Sequence, residues 1–158
     1  MTVLPPPKSN SIGSDQQRTT VMDLMPDDIR ERLLANGAVG AETDPIPVVK
    51  FFDPTGPATW LITAMMPDAP DILFGLCDLG LGCPELGTVS LSDLRSVKGR
   101  LGLGIERDLH FSGRFVLSIY AEAARISGRI IEAERLLAQI AVALGNPSPN
   151  PELPPNGG

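Results

Sequence analysis

A chain of 158 residues with 42% apolar side chains has room for one domain of about 100 to 120 packed residues. Its formal charge is −6, and between Asp44 and Asp93 seven carboxylates face a single base, Lys50; such a middle repels a phosphate backbone and argues against direct nucleic-acid binding. No run reaches the roughly 20 apolar residues of a membrane span, Met1-Thr-Val-Leu-Pro has neither the basic nor the apolar region expected of an export leader, and two cysteines in that setting read as reduced thiols of a protein expected to be cytoplasmic.

Half of the sixteen prolines lie at the ends, in Pro5-Pro6-Pro7 and in the run from Pro147 to Pro155. Neither end has the periodic apolar residues that offset chain ordering, so residues 1–20 and 145–158 are expected to be disordered tails around a domain spanning 21–144. Pro26 suits the first turn of a helix, Asp27 and Asp28 favour its positive end, and Asn36-Gly37 predicts its stop. Ile29, Leu33 and Leu34 would form its buried stripe, with Arg30, Glu31 and Arg32 outward.

Strands follow. Residues 47–52 are β-branched and aromatic, residues 53–57 carry turn chemistry, and residues 58–65 complete an antiparallel hairpin. Trp60, in mid-strand, is expected to pack in the core. The apolar run 72–77 predicts an interior third strand and 86–91 a fourth. Ser92 is expected to cap a short helix ending near Gly99, and the alternation of 105–111 predicts a fifth strand. Two helices close the domain: 115–127, with Leu117, Tyr120, Ala121 and Ala124 at helical spacing, and 132–144, with Leu136, Leu137, Ile140, Ala141 and Leu144. Helices flanking clustered strands imply an α+β fold with a mostly antiparallel sheet of about five strands and three to four helices, without internal repeats.

The segment from Phe74 to Gly87 (FGLCDLGLGCPELG) is too apolar for a solvated loop and too glycine-rich for a helix. Gly80, Gly82 and Gly87 are expected to adopt positive φ so that the third and fourth strands can meet. Their spacing matches neither a dinucleotide nor a phosphate loop, and no Lys-Ser or Lys-Thr accompanies them.

Six ordered pieces carry a resemblance over residues 24–131: Pro47-Val-Val-Lys-Phe-Phe, Ala58-Thr-Trp-Leu, Phe74-Gly-Leu-Cys-Asp-Leu-Gly, Pro84-Glu-Leu-Gly-Thr-Val-Ser-Leu, Ile105-Glu-Arg-Asp-Leu-His-Phe and Tyr120-Ala-Glu-Ala-Ala-Arg. In these the chain resembles a bacterial family of unknown function found on conjugative plasmids, integrative elements and phages, among accessory and anti-restriction genes. The resemblance implies a mobile-element setting and supplies no catalytic residues.

Chemistry is sought first in Glu106, Asp108 and His110. On one strand these alternate positions share a face, and two carboxylates with an imidazole suit a divalent cation, with Asp78 or Glu85 completing the set. The plainer account is a solvated polar side of an edge strand. Cys77 and Cys83 are wrongly spaced for structural zinc; a Cys77–His110–carboxylate nucleophile competes with ordinary burial of Cys77. The loop acids Asp68, Asp71, Asp78 and Glu85 are expected to converge on one edge as a docking surface for a basic protein partner. Three functions follow: a protein-binding accessory module, with a counter-defence role as one form of it; a metal-dependent hydrolase using Glu106, Asp108 and His110; and a structural module that self-associates through 132–144. No cofactor is called for by any motif.

Overall fold

Pro26 lacks an amide hydrogen, which suits the start of a helix where that donor has no partner; its carbonyl accepts the Arg30 N–H at 3.0 Å and opens helix α1, Asp27–Val39. The computed structural model describes residues 22–40 and 42–146. The expected tails therefore lie almost wholly outside the described residues, with only Asn146 and Gly145 of the second one inside.

Five strands follow: β1 Val49–Phe52, β2 Thr59–Met66, β3 Ala69–Asp78, β4 Glu85–Ser90 and β5 Glu106–Arg107. Every pairing is antiparallel and the order is β4-β3-β2-β1-β5, so β4 and β5 are the edges. Helix α2, Leu91–Ser96, follows β4; helices α3, Leu117–Ser127, and α4, Glu134–Ala143, close the domain. The α+β expectation holds.

Alternation along the strands divides the core into two layers. On one face, Val49, Phe51, Trp60 and Leu73 pack with Ile29 and Leu33 of α1 and Leu91 and Leu94 of α2. On the other, Leu61 and Leu76 pack with Leu117, Tyr120 and Ala124 of α3 and Leu137 of α4. Each of the largest buried aliphatics contributes about 1.5–3 kcal/mol by leaving water. Trp60 is buried among them, as its place in mid-strand suggests.

Several boundaries differ from the sequence reading, each for a local reason. Asn36-Gly37 does not stop α1, which runs on to Val39 with Gly40 at φ 93° beyond it. A bulge in β2, where the register shifts between Ile62 and Ala64, turns the Thr63 carbonyl toward α1, and the Asn36 side-chain amide donates to it at 2.7 Å. Gly37 lies so close that a Cβ there would sit 2.0 Å from the Met65 carbonyl oxygen. These two residues seat the helix rather than end it. Ser90, not Ser92, caps α2, its hydroxyl accepting the Asp93 N–H at 3.2 Å. Gly80 and Gly82 have the expected positive φ, whereas Gly87 lies in regular β4 opposite Gly75. Leu144, expected in the core, is 55% exposed because α4 ends at Ala143 and turns its stripe of Leu137, Ile140 and Ala141 onto α3.

Candidate functional site

The segment expected as a strand over 105–111 pairs at only two residues, Glu106 with Phe52 and Arg107 with Phe51. One further rung follows, the Asp108 N–H donating to the Lys50 carbonyl at 3.0 Å. The chain then turns, because Asp108 Oδ1 accepts the His110 N–H at 2.9 Å, an Asx turn that takes His110 off the ladder. Glu106, Asp108 and His110 nonetheless line one open cleft of about 520 Å³, with Lys50, Asp53 and Thr59.

Lys50 sets the character of that cleft. It lies in a strand between buried Val49 and Phe51, and its ammonium reaches Asp108 Oδ2 at 3.3 Å and Glu132 in the loop before α4. Partial burial pulls its pKa down, but the hydrogen bonds and charges of Glu132 and Asp108 outweigh that and hold it above the ordinary lysine value. Asp108 shows the reverse balance: desolvation pushes its carboxyl up, and the His110 amide with the Lys50 ammonium brings it below the ordinary aspartate value. An ammonium thus already occupies the position beside Asp108 that a metal would take. Among the described residues no three His, Cys, Asp or Glu side chains are gathered so as to hold a metal ion.

Asp78, a further ligand candidate, stands apart from this cleft. In the row Asp78–Thr59–Phe52–Glu106, three strand spacings separate it from Glu106, about 14 Å. Its side chain is 3% exposed, and both carboxylate oxygens are engaged: Oδ1 by the Gly80 N–H at 2.8 Å and Oδ2 by the Ile130 N–H at 2.9 Å. It ties the end of β3 to the loop between α3 and α4.

The acids Asp68, Asp71, Asp78 and Glu85 do not converge. Asp71 and Asp78 are seven residues apart on one extended strand, about 23 Å, which puts them toward opposite ends of β3. Asp68 lies in the turn before β3, and Glu85 sits opposite Cys77 at the far end. Asp71 is held locally, accepting from the Ser90 and Ser92 hydroxyls and the Ser92 N–H, contacts that lower its pKa. Cys77 packs against the α1–α2 layer, where burial raises its pKa, and lies three strand spacings from β5, after which His110 follows; Cys83 is exposed.

Two features escaped the sequence reading. The Lys50 pairing was signalled by a lone base amid acids inside an apolar strand, but its partner Glu132 is 82 residues distant. The second is a cleft of about 430 Å³ beside β4, floored by Ala64, Met66, Phe74, Leu86 and Leu117, with Glu42 and Asp44 at its rim. Asp44 also receives the Ser118 N–H at 3.0 Å and its hydroxyl at the start of α3. No local pattern assembles that cleft, since its walls come from α1, β2, β3, β4 and α3.

The architecture is an antiparallel sheet held between two helical layers, with one ion-paired cleft and one apolar cleft on its edges. Residues 24–131, more than half of the chain, match the family model described as a protein of unknown function, DUF2958, and the chain belongs to that family. Comparison with curated proteins and with solved structures gives no match. Among the described residues, no helix is long and apolar enough to cross a membrane.

Proposed function

We propose that this chain is an accessory protein of a mobile genetic element that acts by binding another protein, in a counter-defence role of anti-restriction or anti-CRISPR type. One observation carries the binding reading. The chain carries a net charge of −6, and among the described residues the acids in ion pairs are Asp108, Glu122, Glu132 and Glu134, so a net negative charge is left over by the pairing. A field of that sign steers basic surfaces toward the protein, including those of nucleic-acid-handling complexes. The mobile-element setting rests on the resemblance in the six sequence pieces.

The test is capture from a host lysate on the immobilised full chain at low and high salt. A partner retained at low salt, released at high salt and weakened by Asp68→Lys with Glu85→Lys supports the reading; no partner at low salt overturns it. A second reading, a metal-dependent hydrolase, draws on the shared cleft of Glu106, Asp108 and His110. Calorimetric titration with zinc and with magnesium decides it: heat that disappears in His110→Ala supports a site, and none from either protein removes it.

A further inference from the structure

The two edges of the sheet are finished differently. β5 is two residues long, its chain turns at once through Asp108, and its outward Arg107 N–H is covered by the Met22 sulfur at 3.2 Å, with the Arg107 Nε on the Asp23 carbonyl at 3.2 Å. That edge is closed. β4 has six residues in unbroken register with β3, from Glu85 opposite Cys77 to Ser90 opposite Ile72. It contains no proline, lysine, arginine or bulge, the usual devices that blunt an edge, and no described group hydrogen-bonds to its outer side.

Beneath this open edge lies the apolar cleft of Phe74, Met66, Leu117 and Leu86, where Leu86 is left 51% exposed. The α3–α4 layer covers Leu76 on β3 but stops short of Leu86 on β4, which makes a shelf beside the free backbone. The charged side chains of its wall are Glu42 and Asp44, Glu85 starts the strand, and no base lines it.

We propose that β4 is a docking strand: a basic, extended segment of a partner protein adds to its outer edge as a sixth strand. Backbone hydrogen bonds to β4 supply register, alternate apolar side chains of the segment enter the cleft, and the lysines or arginines between them lie on the opposite face with Glu85, while Glu42 and Asp44 in the cleft wall add to the negative potential along this edge. An acidic segment would set like charges together, and a nucleic acid would bring phosphates to the same carboxylates. The proposal names the surface used by the protein-binding function above and rests on that reading.

The test uses the full chain and a fluorescent synthetic peptide alternating lysine and valine over about eight residues, enough to span β4. Two companions are a glutamate–valine peptide of the same pattern and a lysine–valine peptide with its central valine replaced by proline. Fluorescence anisotropy is expected to show saturable binding of the first, with at least tenfold weaker binding of both companions. Leu86→Lys should weaken it at least tenfold, whereas Leu109→Lys, in the turn after β5 at the opposite edge of the sheet and 61% exposed, should leave it unchanged. Amide exchange of residues 85–89 should slow on binding. Absence of binding, or equal binding of the proline peptide, overturns the proposal. So does slow β4 exchange without peptide: in a sedimenting dimer the occupant is a second copy, and in a monomer it is a segment of the chain's own ends. Lysate capture that survives Leu86→Lys refutes the docking strand while leaving the protein-binding reading intact. Peptide binding without any lysate partner does the opposite.

Discussion

Removing the Asp78 carboxylate should uncouple the sheet from the α3–α4 loop. Its two oxygens take the Gly80 and Ile130 amides at 2.8 and 2.9 Å, and the side chain is 3% exposed. A hydrogen bond to a charged group contributes about 1.5–3 kcal/mol net, and a buried donor left without a partner keeps its desolvation cost. Gly80 is exposed and water can replace the carboxylate there, but Ile130 is half-buried and cannot be hydrated as readily. Asp78→Ala should therefore cost about 2–4 kcal/mol, most of it from the Ile130 side. Asp78→Asn keeps one acceptor and opposes an N–H with an amide group, so it should fall between wild type and alanine. Urea denaturation at neutral pH measures both, and a domain of this size should lose roughly 3–5 °C of melting temperature per kcal/mol. Exposed Asp68 serves as the control, with Asp68→Ala expected within about 0.5 kcal/mol of wild type. An Asp78→Ala variant as stable as that control, with Ile130 amide exchange unchanged, would refute the reasoning.

Gly37→Ala should destabilise by about 1–3 kcal/mol even though alanine favours helix, because its methyl would meet the Met65 carbonyl at 2.0 Å; a stabilised variant in thermal melts would show that α1 does not rest on β2 there. A double-mutant cycle on Lys50 and Glu132 should return a coupling of about 1 kcal/mol, and additivity would mean that the ion pair contributes nothing. The Asp108 carboxyl is depressed when folded, so its contribution is present above about pH 4 and lost as pH falls toward its folded value; Lys50 is raised, so its contribution is full below about pH 10 and lost above it. Lys50→Met should flatten both limbs in pH-dependent denaturation. Ellman's reagent should modify exposed Cys83 quickly and Cys77, whose thiol burial keeps protonated, at least tenfold more slowly; equal rates would contradict the packing of Cys77 on α1 and α2.

The sequence by itself determined the α+β class, the four interior and edge strands of the hairpins, the end of the helix expected over 115–127, and the burial of Ile29, Leu33, Trp60 and Tyr120. These follow from periodicity and turn chemistry, which act within a few residues and are written locally. Tertiary structure decided the rest. Asn36-Gly37 has the composition of a helix stop, yet a carbonyl freed by the β2 bulge gave both residues another use. The alternation of 105–111 suggested a long strand, but β1 offers few rungs and Asp108 prefers to turn the chain on itself. The acids of the β3 region looked gathered because they are close in sequence, whereas an extended backbone spreads them along and across the sheet. The pairing of Lys50 with Glu132 and the shelf beside β4 depend on elements brought together from far along the chain, and no short-range pattern encodes such a meeting.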